Sequence, residues 1–359
     1  MLRTHVIPKF LHRLTHEDFT GTILKDLDRA IRNAAKDFLH LPDSVASSWF
    51  HLSIKSGGLG LQEQRYEIPI MAYKRLSRLQ SSSSWVLKDI VSSAWFKAEL
   101  TRIERLLPHH DNNQRRLLSD LECIQNFKGQ TNFAVAGGLV NRHLQGNSWF
   151  PGSMFISYLR MRTCTIGASG HEAEPVLCPY DCPGAIATLK HILNECDHME
   201  GMYHYRHNRA QNTIVDHLVS TGWSVYVNLR VVAMVDNRWR IFVPDIVAVS
   251  PDDNQAIVMD VQCSFEDSRE VLRERDAAKR DKYSHPAVLS AIGTKLFANG
   301  HHPTTFKVYG LIFGSRGAIH NVTYNLLNEF GMTKSRVGSI LDLISKDSIS
   351  IYRMFRFSR

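Results

Sequence analysis

The sequence contains no run approaching the ~20 consecutive apolar residues that a membrane-spanning helix needs, so no membrane partner is expected. Its opening, MLRTHVIPKFLHRL, lacks the uninterrupted apolar stretch of a signal peptide, which argues against secretion. Negative charge is also in short supply. Against 43 Lys and Arg there are 35 Asp and Glu, leaving a formal charge of +8 with 18 histidines in reserve. That balance disfavours a basic partner and favours a polyanion, with nucleic acid as the default reading and a merely solvated basic surface as the alternative. Cysteines are few, six in 359 residues. Cys123, Cys164 and Cys263 stand alone, so a disulfide framework is not indicated. No repeat at solenoid periods and no low-complexity tract is present. What remains is an apolar content of 43%, enough at this length for two or three domains with cores of their own.

The first third has helical periodicity. In TILKDLDRAIRNAAKDFLHL, Leu24, Leu27, Ile31, Ala35 and Phe38 recur three and four apart, with Lys25, Arg29, Arg32 and Lys36 off that stripe. This predicts a basic amphipathic helix. Gly57 and Gly58 punctuate the chain before a second helical stretch, and Ser81 to Ser84 read as a surface connection. From Trp85 to Leu144 the pattern stays mostly helical, interrupted at Pro108, His109 and His110, and composition shifts between Gly152 and Pro175.

After Trp223 the period becomes two. Val225, Val227, Leu229 and Val231 alternate with Tyr226, Asn228 and Arg230, and the apolar runs IFVPDIVAVS and AIVMDVQCS flank a turn at Pro251 to Asn254. A hairpin is expected there, followed by a charged helix, a second helix from Pro286, a strand FKVYGLIF and two more helices. The C-terminal half therefore reads as an α/β unit, and the whole chain as α+β with a helical first half.

Two constellations carry chemistry. The first is C-x3-C-x8-H-x4-C at Cys178, Cys182, His191 and Cys196. Three thiolates and an imidazole suit zinc and leave no open coordination position, so the ion would be structural and would help fold a segment too short for a core. Three buried free cysteines beside a chance histidine is the plainer alternative, and His198, His204 and His207 are possible substitute ligands.

The second constellation is a pair of carboxylates. If Pro251 to Asn254 form a four-residue turn, Asp245 faces Asp260 across the hairpin, on a face otherwise apolar. Two like charges about 5 Å apart in such surroundings are destabilising unless compensated. A divalent cation, with Mg²⁺ the simplest, would compensate them and keep positions for water and phosphate. Gln262 shares that face by strand alternation. On the helix that follows, expected to open with a capping box at Ser264 and Asp267, Lys279 turns inward with Leu272 and Tyr283, and Lys282 lies one turn on. Such a lysine can hold an attacking water or charge developing on phosphate. Simple ion pairing of these residues is the alternative.

These motifs, together with Arg206-His207-Asn208, Pro244-Asp245, Asp260-Val261-Gln262 and K-x-x-K-Y at Lys279 to Tyr283, resemble the C-terminal region of non-LTR retrotransposon proteins that carry a restriction-like endonuclease. LHLPDSVASSWFHLSIKSGGLGLQ is similar to the stretch around the reverse-transcriptase thumb of that family. The resemblance implies four segments: a thumb-like region over 1–80, a helical linker over 81–175, a CCHC zinc knuckle over 176–200 and a PD-(D/E)xK endonuclease over 201–359. It implies Asp245 and Asp260 as ligands of a catalytic Mg²⁺, Gln262 where many restriction enzymes have lysine, and Lys279 or Lys282 as the catalytic lysine. It further implies target double-stranded DNA and element RNA as partners, with the full-length element protein as another, and nuclear residence with a cytoplasmic assembly phase. Arg206, His207, Arg273 and Arg275, with Lys25, Arg29, Arg32 and Lys36, are the expected nucleic-acid contacts. The aromatic-x-Asp-Asp signature of a polymerase palm is absent, so polymerase activity is not expected. A binding remnant without catalysis is the alternative to an active nuclease.

Overall fold

The computed structural model describes residue 14 and residues 19–107, 113–146, 150–165, 176–180 and 182–357. The interruption at Pro108 to His110, the composition shift after Thr165 and most of the opening stretch lie outside them. Two compact units emerge, one from Met1–Ser53 with Gly58–Asp120 and one from Ile54–Gly57 with Leu121–Arg359. The boundary between them falls within the stretch expected as the helical linker. The stretch after Leu121 joins the knuckle and the sheet in one unit, where Asn132 Nδ2 donates to Ser268 O (2.8 Å) and the guanidinium of Arg142 pairs with Asp342.

The first unit is helical. α1 (Gly21–Phe38), α2 (Ser47–His51), α3 (Gln64–Gln80), α4 (Trp85–Ser92) and α5 (Ala94–Glu104) surround a core that includes Phe19, Leu24, Ile68, Ala72, Leu76, Phe96 and Ile103. Thr20 caps α1 by accepting from Ile23 N, as its hydroxyl suits. Leu24 and Ala35 of the expected stripe are buried, but Phe38 is exposed at the helix end, and the polar Asp28 is buried between them. Asp28 is no misfit, because its carboxylate accepts from Gln64 N (2.6 Å) and Arg65 N (3.2 Å) and so satisfies orphan donors at the start of α3.

In the second unit, α6 (Asn113–Glu122), which spans the unit boundary, is followed by three short 3₁₀ segments, α7 (Gly152–Arg162), α8 (Leu189–Asn194) and α9 (Glu200–Ser220). Then come β1 (Ser224–Val227), β2 (Val231–Val235), β3 (Arg238–Phe242), β4 (Ile246–Val249), β5 (Gln255–Ser264), α10 (Val271–Tyr283), α11 (Pro286–Ala298), β6 (Thr305–Gly314), α12 (Asn321–Glu329) and α13 (Lys334–Phe357). A four-stranded sheet has the order β1-β4-β5-β6, antiparallel except for the β5/β6 pair, while β2 and β3 form a separate two-stranded ribbon. The fold is mixed α and β, as the sequence pattern implies.

Period-two alternation gives the sheet two apolar faces. Ile246, Ala248, Ile257 and Met259 meet α9, α12 and α13 on one side, and Val247, Val249, Ala256 and Val258 meet α11 and the ribbon on the other. Two expectations need correction. The run IFVPDIVAVS is not one strand: Pro244 has no N–H for a ladder, and the chain leaves the ribbon at Phe242 and enters the sheet at Ile246. The charged helix does not open at Ser264 either, since β5 continues through Ser264 and α10 begins at Val271 with no side-chain cap.

Candidate functional site

The strand register sets the site. β4 and β5 pair Ile246 with Met259, and one step outward places Asp245 opposite Asp260. Asp245 is held by several groups at once. Its carbonyl accepts from Asn228 N (3.0 Å) and from Nε2 of the buried Gln211 (2.7 Å), and its Oδ2 accepts from Val261 N (2.6 Å). Asp260 is more deeply set, its side chain only 5% exposed. Its Oδ1 accepts from the Tyr283 hydroxyl (3.0 Å), which also lies 3.0 Å from Val243 O, and its Oδ2 is ion-paired with Lys279 Nζ. The ammonium is a direct electrostatic answer to a buried carboxylate.

α10 supplies both partners because Lys279 and Tyr283 are one turn apart on its inner face. Lys282 is exposed, with its ammonium 4.6 Å from the Tyr283 ring centroid. Of the two lysines, the fold brings Lys279 to the pair. Gln262 lies two residues past Asp260, half-buried, and its side chain makes no hydrogen bond among the described residues.

His207 joins the group from α9. Its Nε2 donates to Asp245 Oδ2 (3.0 Å) and its Nδ1 lies 3.1 Å from Asn208 Oδ1. Oxygen acceptors at both ring nitrogens suit an imidazolium. The hydrogen bond to Asp245 accordingly raises the His207 pKa above the ordinary histidine value, against the opposing effect of burial. Buried Tyr283 is pushed up by burial and by the adjacent Asp260. Neither Gln211 nor Tyr283 is signalled by the sequence as a holder of the carboxylates. Helical spacing marks Tyr283 only as apolar packing, and Gln211 carries no local signal.

The cysteine cluster has the geometry of a closed metal site. Sγ of Cys178 and Sγ of Cys182 each lie 3.8 Å from Sγ of Cys196, and the four ligand atoms including His191 fall within 4.8 Å of one another. Tetrahedral zinc with Zn–S of about 2.3 Å requires sulfur–sulfur edges of about 3.8 Å. The buried Nε2 of His191 has no hydrogen-bond partner, which an ion at the centre would provide. Burial and the neighbouring thiols push the Cys196 thiol up to about 12 in the absence of metal.

Local chemistry builds this cluster. An antiparallel bridge between Leu177 and Ile186 closes the first cysteine pair into a knuckle, and Thr188 caps α8 through His191 N (3.1 Å) so that the histidine faces back. His198 stacks on Tyr180 (4.0 Å) and His204 is exposed beside Glu200, so neither is drawn into the cluster. Tyr203 of α9 donates to Ile192 O (2.7 Å) and accepts from Cys196 N (3.0 Å). Asn194 Nδ2 donates to Cys263 O (2.9 Å), which fastens the knuckle to the strand that carries Asp260.

The expected nucleic-acid contacts divide. Arg206 is 1% exposed, with its guanidinium bonded to Ser348 Oγ (2.9 Å) and Leu193 O (3.0 Å). A phosphate cannot reach it without unpacking α9, so its role is to hold α8 and α13, and it leaves the contact set. Arg273 and Arg275 are exposed on α10, Arg273 pairing with Glu270 (2.9 Å). In the first unit Lys25, Arg29 and Arg32 line one open cleft with Arg65 and Arg116. Lys36 is turned to Asp43 O (2.8 Å).

No family model matches the chain. Similarity to curated proteins is extensive. A Pol polyprotein of the type-1 retrotransposable element R2 from Popillia japonica is 26% identical over 363 residues, spanning 100% of this chain and 78% of its own length. A second from the same species is 26% identical over 322 residues, covering 88% of this chain and 43% of itself. The Pol polyprotein of the type-2 element R2DM of Drosophila melanogaster is 26% identical over 335 residues, 87% of this chain and 30% of its own. The chain thus spans between 30% and 78% of these relatives.

Proposed function

Because this chain is a region of a non-LTR retrotransposon protein related to the R2 Pol polyproteins, we propose that its second unit is a metal-dependent DNA endonuclease of the PD-(D/E)xK type. On this reading it nicks one target strand to expose a 3′ end for priming reverse transcription. The observation that carries the reading is the juxtaposition of Asp245 and Asp260 at facing strand positions, with Lys279 on the second carboxylate.

The residues fit a divalent cation. Asp260 Oδ2 is buried with no hydrogen bond of good geometry beyond its ion pair, and Asp245 commits only Oδ2. Mg²⁺ takes one or two protein carboxylates and completes its shell with water and phosphate oxygens. When bound by Asp245 and Asp260 it would supply charge neutralisation at the scissile phosphate and a more acidic water. The chain's own groups do the rest. Tyr283 and Val261 N fix the two carboxylates, and His207 orients Asp245. Lys279 offers its positive charge to a phosphate oxygen or the incoming water. Water oxygen bonds to phosphorus as the bond from phosphorus to the 3′ oxygen breaks, and that oxygen takes up a proton to leave a 3′ hydroxyl.

In the same reading the Cys178, Cys182, His191 and Cys196 cluster holds structural zinc, residues 1–80 are thumb-like and 81–175 a linker. Target DNA and element RNA are the partners, the full-length protein is a further one, and the nucleus is the site of action. The alternative, a binding remnant, has one specific observation in its favour: the Lys279 ammonium gives the buried Asp260 a counter-charge from the protein itself. Incubation of the purified zinc-loaded chain with supercoiled plasmid and Mg²⁺ separates the two. Nicking abolished by Asp245→Ala and by Asp260→Ala is the expected result, and nicking that survives either change removes the catalytic assignment.

A further inference from the structure

The ribbon of β2 and β3 has an apolar face that no described residue of the second unit buries. Pairing sets Val232 against Ile241 and Met234 against Trp239, and all four point away from the core side occupied by Val231, Ala233 and Phe242. Trp239 is 70% exposed and the other three between 46% and 54%. A contiguous apolar patch on a thin projecting element marks a surface that meets a partner.

Charge and position indicate which partner. Arg238 and Arg240 alternate with Trp239 and Ile241 along β3, and Arg230 precedes β2, against a single acidic residue, Asp236, at the tip. Arg240 reaches Asp236 at 3.7 Å, whereas Arg230 and Arg238 have no ionic partner among the described residues. The loop is only Asp236-Asn237, both residues at positive φ (51° and 59°), the two-residue turn that keeps a hairpin narrow and twisted. At its base the ribbon runs straight into the carboxylate site, since Val243 O lies 3.0 Å from the Tyr283 hydroxyl and Asp245 follows two residues later.

We infer that this ribbon docks on double-stranded DNA beside the scissile phosphate, its apolar face seated in a groove and the long, exposed side chains of Arg230 and of Arg238, on the opposite face of β3, left to reach the flanking phosphates. A two-stranded ribbon fits the major groove, and apolar side chains presented to base steps are a known means of holding a duplex. A protein surface would meet the apolar face equally well but would leave the exposed Arg230 and Arg238 without complementary charge. The inference rests on the reading of the chain as a DNA-cleaving protein and adds the element that grips the substrate.

The test is fluorescence anisotropy of a labelled duplex with the zinc-loaded full chain, titrated at several salt concentrations without Mg²⁺. Trp239→Ala should weaken binding roughly 10-fold, as for truncation of a central aromatic anchor, with Trp239→Phe recovering most of it. Arg230→Ala with Arg238→Ala should flatten the slope of log K against log salt by about 2, roughly one for each phosphate that is no longer neutralised. Since Trp239 is exposed, circular dichroism should be unchanged throughout. Unchanged affinity and slope in the ribbon variants, while the parent binds, overturns the ribbon alone. So does self-association of the parent that Trp239→Ala abolishes without touching DNA affinity. A parent chain that binds no duplex overturns both the ribbon and the nuclease reading.

Discussion

Lys279→Met isolates the question of what the carboxylate pair is for. Removing one partner of a buried ion pair costs about 3–5 kcal/mol. Lys279 keeps 23% exposure, so solvent screens part of the loss and about 2–3 kcal/mol is the reasonable figure. For a cooperative unit of this size that lowers Tm by about 4–12 °C. Two further measurements give the number its meaning. Asp260→Asn combined with Lys279→Met removes both charges and should recover most of the loss. If Asp245 and Asp260 hold a divalent cation, Mg²⁺ should also rescue the single variant, by about 2.7 kcal/mol at a hundredfold excess over its Kd. Scanning melts of the zinc-loaded protein with and without Mg²⁺ read all of this out. A Lys279→Met chain restored by the second substitution but indifferent to Mg²⁺ would mean a closed ion pair, and the metal reading would fail.

Two further results are expected. Elemental analysis should find a single zinc per chain, lost in Cys196→Ser, and strong chelators should unfold the knuckle first, because binding free energies of about 10–16 kcal/mol for such sites are folding free energy. In the metal-free carboxylate site His207 should titrate above ~6.5, and Asp245→Asn should return it toward that value in an NMR titration. The sign of the linkage follows: the imidazolium–carboxylate pair stabilises the fold fully below the unfolded histidine pKa and is lost as pH rises through the raised one. A His207 that titrates identically in both proteins would remove Asp245 as the cause.

The legible parts of the molecule are those fixed by local spacing. Period-two alternation and the Pro251 to Asn254 turn are enough to set Asp245 opposite Asp260, and the β4/β5 pairing has that register. Ligand spacing likewise locates the cysteine cluster. Long-range packing is not legible. Nothing near Arg206 in sequence announces Ser348, so a buried brace reads as a phosphate contact. Asp28 looks like a solvated charge because its partners are amides at the start of another helix. The attachment of residues 121–146 to the rest of the second unit is hidden for the same reason, since Asn132 and Arg142 bond to positions more than a hundred residues away.

α9 carries more than its length suggests. Tyr203 and Arg206 grip the backbone around the cysteine cluster, and His207 and Gln211, on the following turns of the same helix, hold the side chain and the carbonyl of Asp245. Each turn thus acts like one tooth of a shared gear. One residue inserted between Arg206 and Gln211 would rotate everything downstream by about 100°, leaving the end at the cysteine cluster seated while disengaging Gln211 from Asp245. The spacing along this helix is therefore as much a part of the site as the identity of any residue in it.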